Sequence, residues 1–485
     1  MRKPIPLGGS AKDFNSRKSR ETIFNGYIEL DKDSKFHRIV RAPGFELEIT
    51  VGDGPIRAMK EIRSNLYVVS GTEVFKITTE LESTRIGIVE DDGLPAKIET
   101  NGADVGQILF LSAKKGHIFE NDVFTDITDP AFDPDISVAI LNERFWFNKP
   151  DSNFFFASEV ADGSDYNSLD TAAAAESPDE LRYVTPVQSN LLNMGSKTIE
   201  IWQTFQSEFP LRRVQGATIE KGVGAAFSVV KYENKVYWLG DDFRVYVTTG
   251  NGYQKISDLS FEVAVRGDGT LRFPGYESPE KARAFFVDSN IHKFYCLQFP
   301  EDDATWLYDL TTGLWHRRKS KDLGRWRISE SERFIDNVYF GDFQNGNIYR
   351  QVNEYNEDGN DQEFILRTPA TLSSRAGLFI TSIELIMEVG LGTINSIQEG
   401  TGIKKTLPIP AKMLIMFSRD GGQTFPNQRS TSLGSVGDRQ HRVKEYSYGY
   451  VKKDFEAVWE FRVNFDTPLN FFNLFIEYDE GASDG

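Results

Sequence analysis

The chain has 485 residues and a mass of 55.0 kDa, and its 55 Lys and Arg against 72 Asp and Glu give a formal net charge of −17. This acidity disfavours broad binding to nucleic acids or anionic membranes, which requires a positive surface that displaces counterions. The one cysteine, Cys296, excludes intrachain disulfides, cysteine-based zinc sites and iron–sulfur clusters. Aromatic residues make up 13% of the chain, which is typical of strands packed face to face.

The N-terminal segment Met1–Phe14 begins with basic residues but lacks the apolar stretch and the cleavage site of a secretory signal. No apolar run reaches the roughly 18 residues needed to cross a bilayer. We therefore expect a soluble protein that is made in a cytoplasm and does not insert stably into membranes.

A hairpin-like unit recurs along the first two thirds of the chain. Each copy has two short apolar and aromatic runs that flank a polar turn, as two-stranded ribbons require. The seven copies are Asn65–Ile77, Gln107–Glu120, Leu141–Ser158, Ser189–Trp202, Asn234–Gly250, His292–Asp309 and Asp336–Arg350.

These copies start 34 to 58 residues apart. A period of roughly 40–50 residues, with about four short strands per unit, is the signature of a β-propeller. One hairpin could belong to an insertion or to the ring closure, so the sequence predicts six or seven blades. The alternative, an all-β array of sandwiches, accounts less well for the regular spacing.

A second, smaller β domain is expected after the propeller. The acidic and polar stretch Asn353–Gln362 is typical of a linker, and Glu456–Phe465 alternates in part between apolar and polar residues, which indicates one buried face. The predicted fold is all-β, a propeller with a β-sandwich-like C-terminal platform. We expect an N-terminal arm with the first propeller strands at 1–60, the propeller at 61–352, a linker at 353–375, the C-terminal β domain at 376–478 and a disordered tail at 479–485.

Two segments are predicted to depart from this strand pattern. Ser278, Pro279 and Glu280 are residue types that favour a helix N-cap and first turn, so a helix is expected there. The alanine-rich stretch Thr171–Glu180 is predicted as a helical or loop insertion. Such insertions lie on one face of a propeller and often supply binding surface.

No catalytic, cofactor-binding or metal site is recognisable. The sequence contains no Walker A loop, GxGxxG loop or GxSxG elbow. The stretch 354–359 resembles the start of an EF-hand loop, but its twelfth position is Ile365 instead of Glu. The five histidines are not at metal-ligand spacing: His37, His117, His292, His316 and His441. We therefore predict a protein that is not an enzyme and needs no cofactor.

One motif is specific, the sequence SRDGGQTF that begins at Ser418. It fits the S-x-D-x-G-x-T-[FW] pattern of an Asp box, in which Ser418 and Asp420 satisfy turn amides, the glycines adopt positive φ and Phe425 packs beneath the turn. The structural hairpin consists of Ser418, Asp420, Gly422, Thr424 and Phe425. The motif recurs in sialidases, where it is structural and stands away from the catalytic site.

Several segments, taken together and in order, resemble the packaged-DNA-stabilisation proteins of short-tailed phages, also called tail hub or nozzle proteins. The opening GGSAKDFNSRKSRETIFNGYIE is similar to that of the family, and the strongest similarity extends over Asp126–Trp202. Glu277–Trp315 and the C-terminal sequences IMFSRDGGQTF and FRVNFDTPLNFFNLFIEYD are similar as well. Each motif is moderately specific, and their shared order carries the resemblance.

The resemblance implies a virion structural protein of the phage tail, assembled in the bacterial cytoplasm as a homohexameric ring beneath the portal and adaptor proteins. Such a ring extends the DNA channel, retains packaged DNA until ejection, and holds a tail needle or plug together with fibres or spikes. Six copies would carry a formal charge of about −100, so an acidic lumen would repel the phosphates of passing DNA. DNA would then pass through without sequence-specific binding.

Two other functions are weighed against this hypothesis. A propeller glycosidase or sialidase-like glycan-binding module would explain the Asp box and the aromatic residues, but it should carry several Asp boxes, and the chain has one. A propeller scaffold with cellular partners would be expected to contain WD40-type repeats, and the sequence contains none.

Overall fold

The protein is built almost entirely from β-strands. The computed structural model describes residues 1–5, 22–30, 37–102, 106–176, 179–207, 209–269, 274–289, 292–369, 371–372, 377–389, 393–398, 404–409, 411–434, 437–438, 441–452 and 456–480. Most of the opening motif at 8–29 and the tail residues 481–485 lie outside the described residues.

Seven units of four antiparallel strands form the blades of a β-propeller; five are separate sheets, and blades 6 and 7 belong to larger sheets of ten and six strands. In each blade the strands are called A to D, from the innermost strand to the outermost. The blades are Ile56–Ile62, Asn65–Ser70, Glu73–Ile77 and Ser83–Ile88 (blade 1); Lys97–Thr100, Ile108–Ser112, Lys115–Glu120 and Val123–Asp126 (blade 2); Val138–Leu141, Arg144–Asn148, Phe154–Ala157 and Thr171–Ala173 (blade 3); Leu181–Val187, Asn190–Gly195, Ile199–Thr204 and Leu211–Arg213 (blade 4); Val230–Tyr232, Lys235–Leu239, Val245–Thr248 and Tyr253–Lys255 (blade 5); Arg283–Asp288, Lys293–Phe299, Ala304–Asp309 and Leu314–Arg317 (blade 6); and Ile328–Phe334, Asn337–Asp342, Asn347–Val352 and Gly44–Thr50 (blade 7).

The ring closes by strand exchange between its two ends. The outer strand of blade 7, Gly44–Thr50, precedes blade 1 in the sequence and pairs antiparallel with Asn347–Val352. All seven hairpins found in the sequence form strands B and C of the blades, so the propeller prediction is confirmed and the blade number is seven.

Seven hydrophobic cores lie between neighbouring blades. Residues that alternate along one strand enter two different cores, as a pleated strand requires. In strand B of blade 5, for example, Tyr237 packs against blade 6 whereas Trp238 packs against blade 4. The core between blades 7 and 1 contains Val68 and Ile348, which completes the ring.

The buried guanidinium of Arg57 connects blade 1 to blade 2. It donates to the carbonyl oxygens of Gly71, Glu90 and Leu94 and to the hydroxyl of Ser112 at 2.8–3.0 Å. Carboxylates of the loop between the blades also approach it, at 3.2 Å. Each donor therefore has an acceptor, which offsets the cost of removing this charge from water.

The platform is a sandwich of two sheets around a separate core that includes Trp459 and Phe461. The first sheet has the order Gly26–Leu30, His37–Arg41, Asn470–Glu480, Leu378–Met387 and Val443–Val451, with Arg2–Ile5 also paired to Asn470–Glu480. The second has the order Thr22–Phe24, Phe364–Arg367, Glu456–Val463, Lys412–Ser418 and Gln428–Ser432, with Thr371–Leu372 also paired to Glu456–Val463. Thr393–Gln398 and Lys404–Ile409 form a separate hairpin.

Both ends of the chain build the platform, which differs from the division expected from sequence. Strands between Arg2 and Arg41 pair with C-terminal strands instead of forming an arm of the propeller. The expected linker contains the short strands Asn356–Glu357 and Asn360–Asp361 and the platform strand Phe364–Arg367. Local sequence patterns do not report such pairings between residues hundreds of positions apart.

The platform is attached to blade 6 at Asn25. Phe24 pairs in parallel with Arg317, so the second platform sheet is continuous with that blade. The Asn25 amide donates to the carbonyl oxygens of Lys319 and Glu363 at 3.0 and 2.9 Å and accepts from the Lys319 backbone. The Asn25 side chain therefore connects the end of the platform strand Thr22–Phe24 with the residues that follow blade 6 and with those that precede the platform strand Phe364–Arg367.

The helix expected at Ser278–Glu280 is wrong, and so is the helical alternative for Thr171–Glu180, although the described residues 174–176 and 179–180 of that stretch lie in a loop. Pro279–Lys281 forms only a short 3-10 turn, because the next residues pair as strand A of blade 6. Thr171–Ala173 is strand D of blade 3. The α-helix of the described residues is Leu259–Arg266, whose N-cap Asp258 accepts from the amide of Phe261 at 2.8 Å. No helix among the described residues is long and apolar enough to span a membrane.

Replacing Arg57 with Met should lower the free energy of unfolding by about 2–4 kcal/mol, because several buried carbonyl groups lose their donor. Chemical denaturation followed by tryptophan fluorescence measures this change. Arg85→Met is the control, because Arg85 is exposed and bonded to Glu73, so its loss should cost less than about 1 kcal/mol. Equal losses in the two variants would contradict the role given to Arg57.

Candidate functional site

The topology of the propeller divides its loops between two faces. Since each blade is an antiparallel meander, its A–B and C–D connections lie at one face. The B–C connections and the loops to the next blade lie at the other. Exposed charges on these loops determine what each face can contact.

The face formed by the A–B and C–D connections is strongly acidic, and we call it the acidic face. The described residues of these connections include one Lys or Arg, Arg63. They include ten carboxylates: Glu80, Glu82, Asp122, Glu143, Glu159, Asp162, Asp165, Asp170, Glu233 and Asp336. Connections at the opposite face carry both signs; there, Asp242 is held by Lys221 and Arg244 at 3.1 Å each.

The negative charge of the chain belongs mainly to the propeller. Residues 38–354 contain 34 Lys and Arg against 49 Asp and Glu, a net charge of −15 out of −17. Sequence analysis identified the total charge of −17. It did not recognise the acidic face, because assigning a turn to one face requires knowing whether it joins strands A–B or B–C.

A cavity of about 540 Å³ lies on the propeller axis and is lined by strand A of all seven blades. Its polar groups have both signs, including Lys60 and Glu99, whose charged atoms are 2.7 Å apart. Each groove of a duplex is about 8 Å deep, so the double helix is at least ~16 Å across, and a ~10 Å length of it occupies roughly 2,000 Å³, well above the volume of this cavity. Double-stranded DNA therefore does not fit along the axis of a single propeller.

Two carboxylates of blade 7 lie half-buried in this axial cavity. Burial raises the pKa of Glu330 to about 8, although nearby Lys97 opposes the increase. Burial also raises the pKa of Glu332 to about 7, against a hydrogen bond from the Glu61 backbone and the charge of Lys60. Near neutral pH the axial cavity is therefore less negative than its composition indicates.

The Asp box lies in the platform, in the turn that joins the paired strands Lys412–Ser418 and Gln428–Ser432. Asp420 Oδ1 accepts from the amides of Gln423 and Thr424 at 2.9 and 3.0 Å, and its Oδ2 accepts from the Thr424 hydroxyl at 2.7 Å. Ser418 Oγ accepts from the Gly422 amide at 2.7 Å. Gly421 and Gly422 have φ of 71° and 77°, and half-buried Phe425 contacts Arg367.

The five histidines are dispersed. His117 bonds Asp126 and Glu90, His292 bonds Asp309, and His441 bonds the Ser432 carbonyl group. His37 is exposed, whereas His316 is buried beside a cavity described below. In the part of the chain that the structure describes, no three His, Cys, Asp or Glu residues are grouped so as to hold a metal ion.

Asp420→Ala should destabilise the platform by about 1–2 kcal/mol, because it removes the acceptor of the turn amides. Asp420→Asn retains one oxygen and should cost less, which thermal unfolding of the two variants would measure. Burial opposes ionisation of Asp420, but the bonds from Ser418, Thr424 and Gln423 lower its pKa to about 2. The contribution of the ionised Asp420 carboxylate to folding stability should therefore be present above about pH 4 and be lost as the pH falls towards 2. Identical melting of the two variants would contradict this account.

Glu330→Gln should stabilise the protein at alkaline pH. Because the folded chain holds the Glu330 proton more tightly than the unfolded chain, wild type loses stability as the pH rises from about 4.5 to about 8. The variant should melt a few degrees higher than wild type at about pH 9 and equally at about pH 4. Glu143→Gln, at an exposed position of the acidic face, is the control and should follow wild type at both values. A pH-independent gain for Glu330→Gln would contradict the raised pKa.

Comparisons with known proteins give one family and several solved structures. The chain is similar to a streptogramin B lyase structure (11% identity, TM-score 0.42, 64% of this chain and 97% of that one) and to virginiamycin B lyase from Staphylococcus aureus (9%, 0.43, 64% and 99%). It is also similar to the computationally designed Ika8 protein (9%, 0.41, 64% and 100%). No curated protein matches the sequence. The family model described as "Bacteriophage P22 Gp10, beta-propeller" matches residues 38–354, the propeller from its closing strand to blade 7. With about two thirds of its length matched, the chain belongs to this phage stabilisation family.

Proposed function

We propose that the chain is the hub or nozzle protein of a short phage tail, a virion component without enzymatic activity. In this proposal six copies form a ring beneath the portal and adaptor proteins. The ring extends the DNA channel, retains the packaged genome and anchors a needle or plug together with fibres or spikes. Membership of the phage stabilisation family is the observation that carries the proposal.

The small axial cavity supports a channel between subunits. Because a single propeller is too narrow for duplex DNA, a conduit requires several copies arranged around a common axis. The proposed ring provides this conduit from one type of chain, in which each propeller forms a segment of the wall.

The acidic face supports the assignment of the lumen. The described A–B and C–D connections carry ten carboxylates and one Arg per subunit. Lys76, Arg144 and Lys293 pair with four of these carboxylates, and the remaining six repel phosphates, so DNA can slide without adhering. We propose that this face borders the lumen and that the mixed face contacts neighbouring proteins.

The glycan-binding alternative has lost its main support. The single Asp box lies in the platform and not in a propeller blade, and its polar side chains are used within the turn. No second motif favours a glycosidase.

The direct test is electron cryo-microscopy of intact virions. The proposal expects six copies in a ring below the adaptor, with the acidic face towards the DNA. A different symmetry, a position outside the tail, or the acidic face turned away from the lumen would contradict it.

Charge reversal tests the acidic face separately. Replacing Glu80, Glu82, Glu143 and Asp165 with Lys should create binding to short duplex DNA, with an affinity that falls steeply as the salt concentration rises. Fluorescence anisotropy measures it, and virions assembled with the variant should eject their DNA more slowly. The matched control replaces four exposed acidic residues of the opposite face with Lys: Glu277, Glu280, Glu301 and Asp322. If the control variant slows ejection equally, the result contradicts the assignment of the acidic face to the lumen.

A further inference from the structure

A cavity of about 560 Å³ lies where blades 6 and 7 meet the platform. Its walls include Tyr27 from the platform, Phe294 and Leu307 from blade 6, and Phe340 from blade 7. Tyr355, from the segment that leads back to the platform, completes the aromatic lining. The cavity borders Asp336 of the acidic face but is separate from the axial cavity, and no step of the proposed channel uses it.

Two buried guanidinium groups in this cavity lack a carboxylate partner. Arg41 is 2% exposed and Arg318 is 6% exposed. Arg41 donates to the carbonyl oxygens of Phe465, Thr467 and Gln362, and Arg318 donates to that of Pro43 at 2.6 Å. Among the described residues, no Asp or Glu oxygen lies within 4.0 Å of either charged group.

The nearby carboxylates act on these two groups without forming an ion pair: Asp466 and Asp361 favour the charged form of Arg41, and Glu357 favours that of Arg318. Burial lowers the pKa of Arg41 to about 10 and also lowers the pKa of Arg318. Both groups nevertheless remain protonated at neutral pH. Neutral carbonyl oxygens satisfy hydrogen bonds without cancelling charge, so the cavity retains an attraction for anions.

Unpaired polar atoms are concentrated on the same walls. Arg41 Nε, Arg318 Nε, both ring nitrogens of His316 and Gln351 Oε1 are buried without a hydrogen-bond partner. Each such atom costs about 1–3 kcal/mol when it stays unsatisfied. Arg41 Nε, Arg318 Nε and one His316 nitrogen are donors, whereas Gln351 Oε1 and the other His316 nitrogen are acceptors. Their location at one cavity indicates a ligand with several oxygen acceptors and at least one O–H donor.

His316 narrows the choice of ligand. Burial lowers the pKa of His316 to about 4, so at neutral pH its ring has one N–H donor and one acceptor nitrogen. A carboxylate offers acceptors alone, whereas a phosphate that retains a proton offers acceptors and one O–H donor. Such a phosphate complements both ring nitrogens and the two guanidinium groups.

We propose that this cavity is a binding site for a phosphate group, either inorganic phosphate or the phosphoryl end of a small monoester. Arg41 and Arg318 bind its oxygens, and His316 and Gln351 contribute polar contacts. Because Arg41 also holds the platform loop at Phe465, the ligand fixes the platform against blades 6 and 7.

Calorimetric titration of the full chain with inorganic phosphate, in sodium chloride of matched ionic strength, tests the proposal. We expect saturable binding of one phosphate per chain and a higher melting temperature in phosphate. A nucleoside monophosphate that binds more tightly than phosphate would identify the monoester as the ligand, and weaker binding would identify the free ion. Equal binding of succinate would overturn the assignment to phosphate.

Two variants and one control locate the site. Arg318→Gln can still donate to Pro43 but should bind phosphate at least tenfold more weakly. Gln351→Glu supplies an internal anion, so its melting temperature should no longer depend on phosphate. Arg325→Gln, which alters a guanidinium 3.5 Å from the Phe343 ring outside this cavity, should keep wild-type affinity.

A readout in the wild-type chain is independent of variant folding. With ¹⁵N-labelled histidine, the ring nitrogens of His316 should shift on phosphate addition, while those of the other four histidines remain unchanged. The proposal is overturned if phosphate binding is not saturable, if His316 does not respond, or if folded Arg318→Gln binds phosphate as tightly as wild type.

Discussion

Each blade of the propeller must bury both faces of its sheet, and the organisation of the chain depends on this requirement. A sheet whose two faces are apolar cannot end in solvent, so every blade needs a neighbour on each side. The seven cores between blades satisfy this need only in a closed ring. Closure is secured by the strand Gly44–Thr50, which links the start of the propeller to its end.

The closing strand also explains why the platform contains both termini. The chain must pass the outer rim of blade 7 before blade 1 begins, and it returns to the same rim after blade 7 ends. Strands on either side of the propeller therefore emerge close together and pair with one another. Asn25 and Arg41 lie at this crossing, where their side chains bond to segments hundreds of residues away.

Charge is distributed differently from apolar residues. Every blade contributes to the hydrophobic cores in the same way, but the acidic residues are concentrated on the propeller and outnumber the basic residues on one of its faces. Ionised side chains on short turns contribute little to folding stability. Their charge can therefore differ between faces and determine which molecules each face attracts or repels. In the proposed ring, the propeller forms the wall of the channel, and the carboxylates of the turns give that wall a negative electrostatic potential.

The repeating hairpins, the all-β class and the Asp box could be predicted from the sequence, because they depend on alternation and turn residues within about 20 positions. The family resemblance was also present in the sequence. The blade number required the strand pairing of the folded chain, since seven hairpins do not reveal that Gly44–Thr50 completes the last blade. The strand that follows Ser278 and the platform strands before Arg41 were likewise set by pairing with distant partners, which outweighed local propensity. The cavity at Arg41, His316 and Arg318 could not be read from sequence, because packing of three separate segments creates it.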